Sequence, residues 1–222
     1  DTAAINVNVP PVADPGGPYT GNEGSPITFN GSGSYDPDGI IVSYEWDLDN
    51  DGAYDDATGA TPSFTWNDDY SGTIGLRVTD DIVEAVTAAT TVTVNNVAPT
   101  VDAGANVDYV LSGSPVDFSG GFTDPGTGDT HTIEWDFGDG TPVVTGTLAP
   151  THTYASGGDY TVTLTVTDDD GGTSSDTLIV HVNDAPIANP SGPYTGNEGS
   201  AITFDGSASY DPDGRSEERR VG

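Results

Sequence analysis

From Tyr160 to Thr167 the chain reads Tyr-Thr-Val-Thr-Leu-Thr-Val-Thr, an unbroken alternation of apolar and hydroxyl side chains. Successive side chains of a strand point to opposite faces, so Tyr160, Val162, Leu164 and Val166 are predicted to face a core while four threonines face water. Leu178, Val180 and Val182 repeat the pattern downstream. Upstream, the inward sets are Ile27 and Phe29, then Val42, Tyr44 and Trp46, then Ile74, Leu76 and Val78, then Val92 and Val94. Each run is short and is bounded by Gly, Pro, Asp and Asn, the residues that turns favour for backbone reasons. About seven such strands in each stretch of about 88 residues predict an all-β chain of antiparallel Greek-key sandwiches. Trp46 and Trp135 fall on the third main strand, where an immunoglobulin-like sandwich buries its core tryptophan.

The period of 88 comes from internal repetition. Gly17–Gly39 and Gly192–Gly214 agree at 20 of 23 positions, at an offset of 175. A weaker copy lies half-way, where Ser112–Phe118 echoes Glu23–Phe29, Trp135 echoes Trp46, and Leu164, Val166 and Asp168 echo Leu76, Val78 and Asp80. The chain therefore divides into a closing strand of a preceding module (1–9), two complete modules (10–95 and 97–183) and a truncated third (184–214). The last eight residues, Arg-Ser-Glu-Glu-Arg-Arg-Val-Gly (215–222), break the composition of everything before them. They read as a non-native tail translated from a sequencing adapter, with a genuine basic linker as the alternative.

Composition changes the picture in two ways. The formal net charge is -32, and Arg77 is the only Lys or Arg before Arg215. Such self-repulsion opposes compaction unless cations offset it, and it excludes nucleic acid as a partner. There is no cysteine, which removes disulfides, thiol catalysis and cysteine-bound zinc. No apolar run is long enough to insert into a membrane.

Four segments carry a family resemblance. Trp135–Gly140 (Trp-Asp-Phe-Gly-Asp-Gly), His152-Thr153-Tyr154, Gly158–Leu164 and Val166-Thr167-Asp168 together resemble the signature of PKD (polycystic kidney disease) modules. The first module carries Ser34–Gly39, Ser43–Asp49 and Leu76–Asp81, but has Leu-Asp-Asn-Asp-Gly for Phe-Gly-Asp-Gly and Ser63-Phe64-Thr65 in place of the His-x-Tyr element. The resemblance implies tandem immunoglobulin-like β-sandwiches of the PKD type, non-catalytic and located outside the cell or on its surface. It implies roles in spacing, adhesion and contact with protein or polysaccharide. It also implies calcium, because similar modules of some collagenases bind that ion in a comparable loop region.

The residues themselves offer two places for a hard cation, which takes six to eight oxygen ligands. In a sandwich, the loop entering the third main strand and the loop between the last two strands lie at one end, where the linker also arrives. That topology gathers Asp36, Asp38, Asp80 and Asp81 in the first module. In the second it gathers Asp124, with Asp129 a further candidate, and Asp168, Asp169 and Asp170, joined by Asn95 and Asn96 of the linker. Asn183 and Asp184, with Asp211 and Asp213, are the equivalents before and in the third. The second place is Asp47-Leu48-Asp49-Asn50-Asp51-Gly52, with Asp55 at the ninth position, which matches the front of a calcium loop but lacks the closing glutamate. At both places ordinary Asp-rich turns are the competing reading.

Catalysis has no such support. His131, His152 and His181 do not recur between modules and lie in no nucleophile or zinc motif. His152 fits the family's His-x-Tyr position. Tyr19, Tyr35, Tyr54, Trp66 and Tyr70 could stack on sugar rings; packing at a strand end is the competing reading for Trp66. The sequence thus predicts a calcium-stiffened spacer or adhesion array that meets protein or carbohydrate. The accessory region of a secreted protease or glycoside hydrolase, and plain salt adaptation, are the alternatives.

Overall fold

The computed structural model describes residues 7–214. The tail at 215–222 and most of the leading segment lie outside the described residues, and Val7, Asn8 and Val9 are not in a strand. The chain forms two compact units. The first comprises the residues up to Ala98 together with Asp124–Thr130 and Asp168–Gly172; the second holds Pro99–Thr123, His131–Thr167 and the residues from Thr173 onward.

In the first unit the strands are β1 (Tyr19–Asn22), β2 (Ile27–Thr28), β3 (Ile41–Asp47), β4 (Ala57–Thr58), β5 (Ser63–Phe64), β6 (Tyr70–Asp80) and β7 (Ala85–Asn95). Five of them form one sheet in the order β1-β7-β6-β3-β4, and β2 pairs with β5 in the other. The long hairpin of β6 and β7 keeps register from Tyr70 opposite Val94 to Thr79 opposite Ala85, so every second residue of each strand faces the same side. That side holds Ile74, Leu76, Val78, Val92 and Val94, all buried, and they close on Ile27, Phe29, Trp46 and Leu48. β1 runs parallel to β7, with Tyr19 opposite Val92 and Asn22 opposite Asn95.

One inward assignment fails. Val42 is 59% exposed. On β3, Ile41 lies opposite Asp80 and Ser43 opposite Thr79, so Val42 is the extra residue of a bulge and has no partner. A bulge shifts the alternation by one residue, and Ile41 packs against the core in its place.

The second unit has β8 (Thr100–Asp102), β9 (Val107–Leu111), β10 (Pro115–Asp117), β11 (Gly121–Thr123), β12 (His131–Asp136), β13 (Val144–Thr145), β14 (Thr151–Thr153), β15 (Gly158–Asp168) and β16 (Thr173–Asn183). Its main sheet runs β13-β12-β15-β16-β9, facing the pairs β10-β14 and β11-β8. Val162, Leu164 and Val166 are fully buried with Trp135, Phe137 and Val180. β9 lies parallel to β16, with a shift between Val180 and Val182.

The two tryptophans are held alike. Trp46 Nε1 donates to the carbonyl of Gly59 at 2.9 Å, and Trp135 Nε1 donates to that of Thr147 at 3.0 Å. Each indole thus buries its ring while its one polar atom stays paired, the condition for placing tryptophan in a core. In the second unit His152 stacks on Phe137 with ring centroids 4.1 Å apart and hydrogen-bonds Asp139 at 2.8 Å. In the first, Phe64 holds the matching position, opposite Ile27 as His152 is opposite Val116. Trp66 packs between Phe64 and Tyr70, centroids 4.7 and 5.7 Å away, which is the strand-end packing role.

The architecture is the tandem β-sandwich that the alternation predicts. After Asn183 the described residues form no strand, only a bridge between Ile187 and Tyr210. Phe29 of the first copy is fully buried against Trp46 and Trp66, whereas the corresponding Phe204 is 75% exposed. Phe204 meets Tyr194 alone among the described rings.

Candidate metal centre

The first unit contains an acidic cluster built on a tight turn after β1. The N–H of Glu23 donates to the Asn95 carbonyl at 3.1 Å, and the N–H of Gly24 donates to that of Trp66 at 2.9 Å. Gly24 has φ of +64°, and a Cβ there would stand 2.5 Å from the carbonyl oxygen of Pro125. Only glycine fits both the left-handed conformation and that approach. The turn points the Glu23 side chain inward, where Oε1 accepts the N–H of Val97 at 2.6 Å. Glu23 is completely buried, and its other oxygen, Oε2, has no hydrogen-bond partner.

Two loops of the same compact unit complete the cluster. In the loop 124–130, the Gly128 N–H donates to the Asn67 carbonyl at 2.7 Å and the Gly126 N–H to Asp124 at 3.0 Å. In the loop 168–172, Asp168 Oδ1 accepts the N–H groups of Asp170 and Gly172 and the side-chain amide of Asn96, the last at 3.1 Å. Asp169 accepts the N–H of Thr130 at 2.8 Å. Asp168 is thereby bonded through one of its two oxygens. Left without partners are Asp168 Oδ2, Asn96 Oδ1 and both carboxylate oxygens of Asp129, all out of contact with solvent.

Glu23, Asp68 and Asp129 each bring a carboxylate oxygen within 4.8 Å of the others. Asp129, Asp169 and Asp170 form a second such group, and Asp68, Asp69 and Asp170 a third. Like charges so close resist ionisation. Burial, then the charges of Glu23, Asp124, Asp68 and Asp168, push the Asp129 carboxyl up to about 6. Burial likewise raises Glu23, helped by Asp124, Asp68 and Asp168 and opposed by the Val97 N–H. Burial and the charges of Asp69, Asp68 and Asp169 raise Asp170. Arg77 does not relieve this, because it is engaged 2.8 Å from Glu45 and lies over the ring of Tyr54. The unpaired atoms are all oxygens, with three carboxylates and an amide among them, a set suited to a hard cation such as calcium.

The predicted residues divide accordingly. Asn96, Asp124, Asp168, Asp169 and Asp129 meet in this cluster. Asn95 does not join it, because its amide donates to the Gly21 carbonyl at 2.9 Å and ties β7 to β1. Glu23 and Asp68 are the members that sequence reasoning missed. The signal for Glu23 was a glutamate inside the repeated turn Gly-Asn-Glu-Gly-Ser, recurring as Glu198.

The other predicted clusters are less complete. Asp80 is buried but satisfied, accepting the Asn8 amide at 2.8 Å and the N–H groups of Ile82 and Glu84. Burial opposes its ionisation, but those bonds outweigh burial and hold its carboxyl down. Asp38 accepts the Val9 N–H at 3.2 Å, and Asp36 and Asp81 flank Gly39. In the second unit Asn183 is buried with Oδ1 unpartnered, and the Asp184 N–H donates to Asp213 at 2.8 Å. The N–H of Asp213 donates to Asp211 at 3.4 Å. Among the described residues neither place gathers three acids within 4.8 Å.

Asp47, Asp49 and Asp51 do come together within that distance, whereas Asp55 stands exposed outside the group. Asp56 is the residue that closes this loop, accepting the N–H groups of Leu48 at 2.6 Å and Asp49 at 3.1 Å.

Two of the histidines, His152 and His181, are bonded to nearby carboxylates. Burial alone would raise the Asp139 carboxyl, but bonds from the Thr141 hydroxyl, His152 and the Thr141 N–H hold it down at about 2. His181 is hydrogen-bonded to Asp159 at 2.8 Å, and the ring of His131 lies 4.6 Å from that of Phe122. Among the described residues no helix is long and apolar enough to cross a membrane.

The sequence model of the PKD domain matches residues 8–94 and again 96–182. Among solved structures the chain is similar to the PKD1 domain of Vibrio anguillarum Epp, at 29% identity over 40% of this chain and 98% of that one, with a TM-score of 0.33. It is similar to carbohydrate-binding modules from the beta-sandwich super family, at 20% identity over 73% of this chain and 59% of that one, with a TM-score of 0.38. It is also similar to fibronectin(III)-like modules of Clostridium thermocellum CbhA, at 14% identity over 78% of this chain and 94% of that one, with a TM-score of 0.33. The family's pattern is met twice along the chain, over both complete repeats, and the chain belongs to the PKD domain family.

Proposed function

We propose that this chain is a non-catalytic, extracellular spacer and adhesion segment whose first compact unit is completed by calcium. One observation carries the reading: Glu23 Oε2, Asp129 Oδ1 and Oδ2, Asp168 Oδ2 and Asn96 Oδ1 are all withdrawn from solvent without a partner. Leaving buried polar atoms unpaired costs free energy, more so when they carry charge. A divalent cation supplies what the protein lacks here, a positive charge that several oxygens can share.

Calcium bound there holds the loops Asp124–Thr130 and Asp168–Gly172 to the turn at Glu23. Those loops belong in sequence to the second repeat, so the ion restrains the chain where one repeat passes into the next. Contacts with protein or polysaccharide are then made by an array of defined length. Threonine-rich faces such as that of β15 are what it offers to solvent.

Calorimetric titration of the full chain with calcium tests this, with thermal unfolding in calcium and in chelator. A ligand that binds only the folded state raises the midpoint. The expected result is a calcium-dependent midpoint that Glu23→Gln or Asp168→Asn abolishes, and a scattering-derived length that grows more uniform in calcium. Absence of binding heat at millimolar calcium, with identical melting in chelator, overturns the reading.

A further inference from the structure

The loop between β3 and β4 holds charge that the cluster above does not use. Asp47 is 4% exposed; its Oδ2 accepts the Gly52 N–H at 3.1 Å, while its Oδ1 is out of contact with solvent and has no partner. Carboxylate oxygens of Asp47, Asp49 and Asp51 all lie within 4.8 Å of one another. Oxygens bound to one calcium at 2.3–2.6 Å are separated by at most about 5 Å, so the three can share an ion.

The equivalent loop of the second repeat shows how such charge is otherwise met. There Asp139 Oδ2 is bonded to His152 Nε2 at 2.8 Å and Oδ1 to the Thr141 hydroxyl. In the first repeat the position of His152 belongs to Phe64, which offers no donor, and the loop itself contains no Lys, Arg or His. Arg77, the one basic side chain of the repeat, is held by Glu45 and by the ring of Tyr54.

We infer that Asp47, Asp49 and Asp51 form a second, independent site for a divalent cation, calcium by its oxygen donors, in place of the histidine that closes the same loop in the second repeat. The site does not depend on the Glu23 cluster. With three carboxylates and two of them exposed, its dissociation constant belongs near the weak extracellular range of about 10⁻⁴ to 10⁻³ M.

The test uses the full chain and calcium alone, read by the amide NMR signals of Gly52 and Ala53, whose N–H groups donate to Asp47 and Asp51. These signals should move with saturation at millimolar calcium. In Asp51→Asn, and in the double variant Asp49→Asn with Asp51→Asn, the apparent affinity should fall at least about tenfold. Asparagine keeps the turn-forming acceptor at these exposed positions, so folding is preserved, and unchanged signals elsewhere check it. Asp129→Asn should leave the Gly52 response intact, whichever way the Glu23 cluster behaves. Gly52 and Ala53 signals that ignore calcium in the parent chain, or respond equally in Asp51→Asn and the double variant, would overturn the inference.

Discussion

Replacing Asp129 with asparagine should stabilise the protein in chelator and destabilise it in calcium. The folded state holds the Asp129 proton more tightly than the unfolded chain does, with a carboxyl at about 6 instead of 3.8. In cation-free buffer the parent therefore loses stability as pH rises from about 4 through 6, and the full penalty stands above about pH 7. At 1.36 kcal/mol per pKa unit the penalty would be about 3 kcal/mol without screening, and about 1 kcal/mol once solvent and salt are allowed for. The substituted asparagine carries no charge and escapes it. The variant should melt about 5 °C higher near pH 7.5 in chelator, and at the parent's temperature near pH 4, where both side chains are neutral. In calcium at a hundred times its dissociation constant the parent gains about 2.7 kcal/mol. A tenfold weaker site in the variant forfeits about 1.4 kcal/mol of that, which reverses the order of the two melting points. Calorimetric scans in chelator and calcium at the two pH values measure all four terms. An Asp129→Asn protein that melts lower than the parent in chelator near pH 7.5 would refute the account, because it would make Asp129 a structural hydrogen-bonding residue.

Three further outcomes follow from the same structure. Gly24→Ala forces a Cβ to within 2.5 Å of the Pro125 carbonyl oxygen in a left-handed turn, and should cost about 1–2 kcal/mol and weaken calcium binding, both measurable by scanning and titration calorimetry. His152→Ala removes the stack on Phe137 and the bond to Asp139, for a loss of about 2 kcal/mol in urea unfolding near pH 7. Because Asp139 is held at about 2, its stabilisation is complete above about pH 4 and is lost as pH falls through 2, so the variant should show a shallower decline over that interval. Trp46→Phe leaves the Gly59 carbonyl without its 2.9 Å donor and shrinks a fully buried side chain, and should cost about 2–4 kcal/mol by chemical denaturation.

The strands were legible because one face of each is buried, and burial writes itself into a sequence as period two. Val42 was misread for the same reason: a bulge depends on which residues of β3 and β6 pair, and pairing leaves no mark on β3 alone. The convergence of Asn96, Asp124 and Asp168 was legible because sandwich topology brings those loops to one end. Glu23 and Asp68 were not, since their approach depends on the left-handed turn at Gly24 and on the backbone bond from Gly128 to Asn67. In the β3–β4 loop the spacing suggested Asp55, but the turn after Gly52 presents the next residue, Asp56, to the backbone.

The parallel pairing of β1 with β7 also bears on what happens when the array is pulled from its ends. Tension enters the first repeat at its leading strand and leaves by its closing one, and these lie side by side with four residues of each in register. Because they run in the same direction, pulling slides one along the other and loads their backbone hydrogen bonds together, whereas an antiparallel hairpin would be peeled open one bond at a time. In the second repeat the same pair, β9 and β16, is interrupted between Val180 and Val182 and matches at three positions instead of four. Under force the second repeat should yield first, leaving the first as the element that keeps the tether intact.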